Sequence, residues 1–177
     1  RKSVEAFNLP SVELINYEAD DLIATYTQQI LEHGAKVTIV SSDKDLMQLF
    51  KKDVRIYDPM KNKFILQEDI INKFGVDSKK VIDVQSLAGD TSDNVPGVPG
   101  IGVKTAAELI NKYKTLENLL DKAKEIKQNK RRETILKNKE KAILSKKLVT
   151  LKKDVPVEKQ IEEFILKEVD KNKLYDF

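Results

Sequence analysis

The sequence predicts an α/β protein whose mainly parallel sheet, flanked by helices, is followed by a helical subdomain. Three observations carry this reading. The β-branched, strand-like runs all lie within the first 66 residues; the later amphipathic segments have helical spacing; and the charge changes sign along the chain. Residues 1–100 hold 12 Lys and Arg against 16 Asp and Glu, whereas residues 101–177 hold 20 against 13. An acidic part suits cations and a basic part suits a polyanion.

With 177 residues and 40% apolar content, the chain is long enough to bury one core with a small appended subdomain. It has no cysteine, which excludes disulfides, thiolate metal sites and cysteine nucleophiles. No secretory or membrane-spanning run is visible, and a cytoplasmic location with no membrane partner is expected.

Residues 4–9 read as the tail of a helix stopped by Pro10, and residues 12–15 as a short strand. Leu22, Ile23, Tyr26, Ile30 and Leu31 recur at helical spacing, which predicts a helix over 18–33 with Gly34 at its end. Val37-Thr38-Ile39-Val40 is a compact run that suits a buried parallel strand, and Ser42 or Asp43 can cap a short helix over 44–50. Residues 54–57 and 63–66 form two further strands around an Asp58-Pro59-Met60-Lys61-Asn62 turn. Helices follow over 68–74, ended by Gly75, and 79–88, ended by Gly89. Beyond the glycine turn, helices are expected over 104–113, 116–120 and 131–148, with a last one near Asp170.

Three carboxylate groups stand at element boundaries: Glu18, Asp20 and Asp21; Asp43 and Asp45; Asp90 and Asp93. Singly, each has a structural explanation, since acids complement a helix start, cap a helix or close an Asx turn. Together, at turns adjoining strand ends, they point to the ligand crevice of an α/β domain and to a metal site. Phosphodiester hydrolysis asks for such a group, because two divalent ions supply a deprotonated water and stabilise the attacking and leaving oxygens. His33 is the only histidine and sits beside Gly34 at a helix end, so no Ser/His/Asp arrangement competes.

The segment from Gly89 to Thr105 joins acid to a glycine and proline turn that opens a helix, a place where backbone N–H groups meet phosphates. It is not an EF-hand, since counting from Asp90 puts Val95 where that loop needs glycine. Nor is it a P-loop, because Val103 separates Gly102 from Lys104 and a helix precedes the turn. Lys130, Arg131 and Arg132 open a stretch over 122–153 with 13 basic residues against three acidic ones, either a phosphate-tracking face or a solvated helix.

Glu18-Ala-Asp-Asp21, Ser41-Ser-Asp-Lys-Asp-Leu-Met-Gln-Leu49, Gly89-Asp-Thr-Ser-Asp-Asn-Val-Pro-Gly97 and Gly100-Ile-Gly-Val-Lys-Thr-Ala106 resemble the 5'-3' exonuclease domain of bacterial DNA polymerase I. That family is related to the flap endonucleases. The resemblance covers residues 10–125 well and the rest loosely. It implies a 5' nuclease, PIN-like fold, with a partial catalytic core over 1–93 and a DNA-binding helical subdomain over 94–177. It also implies removal of 5' flaps and RNA primers in replication and repair.

Carried over, Glu18, Asp20, Asp21, Asp43, Asp45, Asp90 and Asp93 match the family's Mg2+ or Mn2+ centre, with Asp20, Asp21 and Asp43 the catalytic members. The segment around Gly97, Val98, Gly100, Ile101, Gly102, Lys104 and Thr105 matches a helix-three-turn-helix, related to the helix-hairpin-helix, that grips duplex phosphates with a K+ ion on turn carbonyls. Implied partners are DNA with a 5' flap or 5' end at a junction, an RNA primer on DNA, and a C-terminal polymerase domain. The family's opening strand with a metal-binding aspartate, a second aspartate and a helical arch all precede the segment matching Val4. The expectation is therefore an N-terminally truncated chain with an incomplete two-ion site, weakly active alone or serving only as a DNA-binding fragment.

Overall fold

The structure is a computed structural model and describes residues 2–175. The chain forms two compact units, residues 1–37 with 152–177, and residues 38–151.

The first unit contains α1 (Lys2–Ala6), α2 (Ala19–Glu32) and α9 (Lys171–Tyr175). Glu18 holds extended backbone at the N-cap of α2, and Asp20 and Asp21 occupy its first turn. Leu22, Ala24, Thr25 and Thr27 are its buried residues. The Thr25 hydroxyl accepts from Val155 N–H at 3.2 Å and donates to the Lys152 carbonyl at 3.4 Å. It thereby ties the returning chain to the helix. Residues 12–15 form no strand. Asn16 turns the chain at φ +69°, and Tyr17 N–H bonds back to Leu14 O at 3.3 Å, so the run passes into a turn.

The second unit holds most of a three-stranded sheet in the order β1-β2-β3, built from β1 (Val37–Val40), β2 (Val54–Asp58) and β3 (Lys63–Ile65). β2 and β3 pair antiparallel with Ile56 opposite Ile65 and Asp58 opposite Lys63. The buried Asp58 closes their hairpin by accepting from Met60 N–H (2.9 Å) and Lys61 N–H (3.1 Å). β1 is an edge of these three strands, so Ile39 is its one buried residue and Val40 remains 64% exposed. This departs from a strand buried on both faces.

The helices α3 (Gln67–Phe74), α4 (Val81–Ala88), α5 (Val103–Tyr113), α6 (Leu116–Asp121), α7 (Asn129–Lys137) and α8 (Lys139–Val149) complete the unit. α4 is its centre. Val81, Val84 and Leu87 are fully buried, and the helix packs on both α5 and α8. Burying an unpaired polar group on so enclosed a helix is costly, and a charged one most of all. Asp83 meets Lys146 Nζ at 2.7 Å, and that ammonium also reaches Glu117 at 2.7 Å.

The helix expected over 131–148 is two helices. Asn138 breaks it at φ −116°, ψ 24°, because its side-chain amide donates to Thr134 O at 2.8 Å and competes with the helical ladder. Among the described residues, no helix is long and apolar enough to cross a membrane.

Candidate metal and nucleic-acid site

The loop after β1 places two carboxylates by local hydrogen bonding. Ser41 N–H bonds to Tyr57 O at 3.0 Å, and its hydroxyl accepts from Asp43 N–H at 3.0 Å. Asp43 Oδ1 then accepts from Asp45 N–H at 2.9 Å and starts the 3₁₀ turn Asp45–Leu49. Leu46, Met47 and Leu49 bury that turn, which leaves Asp43 exposed and Asp45 partly buried. The expected helix over 44–50 capped by Ser42 or Asp43 is instead a 3₁₀ turn whose N-cap is Lys44 without a side-chain cap, and Asp43 closes an Asx turn just ahead of it.

The loop after α4 brings two more. Asp90 and Val95 exchange backbone hydrogen bonds of 3.0 and 2.8 Å, while Asp90 Oδ1 accepts from Ser92 N–H at 3.0 Å and Ser92 Oγ at 2.5 Å. The pinned loop directs Asp90 Oδ2 to 2.5 Å from Lys44 Nζ and Asp93 Oδ2 to 3.8 Å from it. Asp45 Oδ1 accepts from Gln85 Nε2 of α4 at 2.5 Å. Ser41, Ser42, Asp43, Lys44 and Lys73 line an open depression of about 400 Å³ beside this cluster.

Electrostatics follow the geometry. The hydrogen bond that Lys44 donates to Asp90 leads in raising the Lys44 pKa, aided by the charges of Asp45, Asp90 and Asp93, while partial burial opposes it. Burial also pulls the Asp90 carboxyl upward, yet hydrogen bonds from Lys44 and Ser92 outweigh it and hold the group below its usual value. Asp45 is pushed up, chiefly by burial, against the hydrogen bond from Gln85.

In the other unit, Glu18, Asp20 and Asp21 lie on or just before the first turn of α2, and Asp21 Oδ1 accepts from Lys152 N–H at 2.8 Å. Among the described residues, no group of three or more His, Cys, Asp or Glu side chains is close enough together to hold a metal ion. Asp90 and Asp93 converge instead on the Lys44 ammonium, a point cation within the cluster. The donors are all oxygen, which suits a hard divalent cation.

The glycine turn divides in two. Gly97 cannot face a phosphate: it is buried, and its N–H is taken by Ser145 Oγ at 2.9 Å. Its φ is +57°, and an added Cβ would lie 2.5 Å from Gly89 N, so glycine is required there for backbone packing. Val98 and Ile101 are buried too, with Val98 N–H bonded to Leu87 O at 2.8 Å. Gly100, Gly102 and Lys104 are exposed, Thr105 is half-buried, and Gly102 N-caps α5 without a side-chain cap. Added Cβ atoms at Gly100 and Gly102 meet nothing within 4 Å.

The basic triplet is likewise split. Lys130 is exposed, Arg131 pairs with Glu108 at 3.4 Å, and Arg132 donates to Ile126 O (3.0 Å) and Asn129 Oδ1 (2.7 Å). Arg132 therefore closes the entry to α7, and its guanidinium is occupied. Lys73 and Gln85 carry no periodic signal of their own; the segments Lys73-Phe74-Gly75-Val76 and Asp83-Val84-Gln85-Ser86-Leu87 share in the family resemblance without marking a role for either residue. Lys44 was legible only as the residue between Asp43 and Asp45.

Two sequence profiles match the chain: "5'-3' exonuclease, N-terminal resolvase-like domain" over residues 1–75, and "5'-3' exonuclease, C-terminal SAM fold" over residues 76–172. DNA polymerase I of Rhizobium leguminosarum is 52% identical over 177 residues, which is 100% of this chain and 17% of that protein. A 5'-3' exonuclease of Aquifex aeolicus is 41% identical over 94% of this chain and 56% of its own length. The chain thus spans from about a sixth to somewhat over half of these relatives. A bacteriophage T5 flap endonuclease, solved with DNA and metal ions, shares the fold at a TM-score of 0.73 and 23% identity, over 79% of this chain and 52% of that one.

Proposed function

We propose, since this chain belongs to the 5'-3' exonuclease family, that it supplies the metal-dependent 5'-3' exonuclease and 5'-flap endonuclease function of a DNA polymerase I. The reaction is phosphodiester hydrolysis in primer removal and repair. The observation that carries this reading is the convergence of Asp90 and Asp93 on the Lys44 ammonium, in one cluster with Asp43 and Asp45, just before the glycine turn.

Glu18, Asp20, Asp21, Asp43, Asp45, Asp90 and Asp93 would hold Mg2+ or Mn2+. Such ions are commonly bound by one or two carboxylates, with water and substrate phosphates completing the shell, which suits the Asp43, Asp45, Asp90 and Asp93 cluster of the second unit. When bound, they supply a deprotonated water and stabilise charge on the attacking and leaving oxygens. The protein's own part is orientation. Ser41 and Ser92 fix Asp43 and Asp90, while Lys44 balances the acid cluster and Lys73 lines the adjoining depression.

Gly100, Gly102, Lys104, Thr105 and Lys130 are the contacts we assign to duplex phosphates, with K+ on the turn carbonyls. Phosphate contacts of this kind position DNA without reading its sequence. The functional division falls at residues 93 and 94, between the last acid and the turn. The substrates are a 5' flap or 5' end at a junction and an RNA primer on DNA, met in the cytoplasm beside a polymerase domain.

Incubation with a 5'-flap duplex and Mg2+ tests the reading. Cleavage that is abolished by EDTA and by Asp20→Ala is expected. Binding without cleavage would leave a DNA-binding fragment, and the absence of both would overturn the proposal.

A further inference from the structure

Gln85 is an unexpected residue for its position. It lies on α4, the most enclosed helix of its unit, is 3% exposed, and is bordered in sequence by the fully buried Val84 and Ser86. Its Nε2 donates to Asp45 Oδ1 at 2.5 Å. Its Oε1, equally buried, has no hydrogen-bond partner among the described residues. A buried acceptor left unpaired is unfavourable and rare in native proteins, and it asks for a reason. Turning the amide over would not relieve it, because Oε1 would then face the Asp45 carboxylate and lose the one hydrogen bond the side chain makes. An apolar side chain of similar length would remove the unpaired group altogether. What it could not do is donate to Asp45.

Nothing else in the described structure fixes that carboxylate as directly. Asp45 opens the 3₁₀ turn, and its own backbone N–H is held by Asp43 Oδ1, so the main chain at this point is set locally. The side chain is set from a distance of 40 residues, by an amide on a rigid helix. With Oδ1 engaged by Gln85, rotation about the carboxylate is restricted and Oδ2 is the oxygen left for another donor or a cation. Partners that orient ligating carboxylates in this way commonly alter metal affinity by about 10- to 100-fold when removed.

We propose that Gln85 is a positioning residue of the metal centre: it holds the Asp45 carboxylate in ligating orientation through its Nε2–H. This rests on the metal-dependent reading above and deepens it. Gln85 touches neither metal nor substrate in this role, and it acts through Asp45.

The test is calorimetric titration of Mn2+ into the protein and its variants, without substrate, alongside thermal unfolding of each. Gln85→Met keeps the length and drops the donor; Gln85→Asn keeps the amide but is one methylene too short to reach, and it serves if the first variant does not fold. Either is expected to raise the Mn2+ dissociation constant about tenfold or more. The melting temperature of Gln85→Met should stay level or rise, since the unpaired acceptor has gone. In an Asp45→Asn background, the same substitution should change Mn2+ affinity less than about twofold, because the two residues act as one unit.

An unchanged dissociation constant in a folded variant, while the native protein binds Mn2+, overturns the inference and leaves the metal reading standing. So does a loss of affinity that persists undiminished in the Asp45→Asn background. Failure of the native protein to bind Mn2+ overturns both.

Discussion

Gly97 and Gly100 stand three residues apart in one turn, both with positive φ, and their surroundings are opposite. Gly97 is pressed against the backbone of Ala88 and Gly89, and its N–H is spent on Ser145; Gly100 is exposed, with open space where a Cβ would be. The first half of the segment is a clasp that fastens the end of α4 to the following loop and to α8. The second half is a free surface at the start of α5. A run of glycines that reads as one phosphate cradle is therefore two devices, and only one of them faces solvent. The same division separates Asp90, pinned by Val95 and Ser92, from the open approach to Lys104.

The comparison is most directly broken by substitution at both glycines. Gly97→Ala should destabilise the fold by about 3–5 kcal/mol, from overpacking plus a strained φ, measured by denaturant unfolding. A loss below about 1 kcal/mol would show that the clasp yields. Lys146→Met comes next, because it leaves Asp83 buried and unpaired in the helix that the clasp terminates. About 3 kcal/mol is expected by the same measurement.

Gly100→Val should cost less, about 1–2 kcal/mol for its positive φ, while weakening duplex binding about tenfold on two unrelated sequences alike. Fluorescence anisotropy would show it, and a strongly sequence-dependent loss would contradict a phosphate-facing turn. Binding to either duplex should also fall steadily as salt is raised, through counterion release.

The smallest effects sharpen the acidic side. Asp90 has a lowered pKa, so its contribution to stability is present above the unfolded value of about 3.9 and is lost as pH falls through the still lower folded value. Asp45 has a raised pKa, so its favourable contribution is complete below about 3.9 and is lost as pH rises through its folded value. Thermal unfolding at neutral pH should therefore show Asp90→Asn melting lower and Asp45→Asn melting slightly higher than the parent. The reverse order would mean that Lys44 does not favour Asp90 over Asp45.

Much of the fold was legible in local chemistry. The strand at Val37–Val40, the Asp58 hairpin, the stops at Gly75 and Gly89 and the helix from Val103 to Tyr113 all follow from side-chain period, turn residues and caps acting within a few positions. Besides the largely exposed β1 and the 3₁₀ turn in place of a helix over 44–50, two elements went otherwise for reasons a period cannot express. Residues 12–15 are apolar enough for a strand but are taken up in a turn at Asn16, and the helical pattern after residue 131 is interrupted by one asparagine whose amide prefers a carbonyl four residues back.

The sequence by itself determined the chemistry available to this protein. Its seven candidate carboxylates stand at element boundaries, its histidine and cysteine chemistry is all but absent, and its glycine turn opens a helix. Only tertiary structure decided how those groups are used. It brought Lys44 to Asp90 across 46 positions and Gln85 to Asp45 across 40, and it spent the Gly97 N–H on Ser145 across 48. Composition and spacing encode what a residue can donate or accept. Whether that capacity faces solvent or is already engaged depends on which distant helix packs beside it, and burial on the enclosed face of α4 fixed that choice.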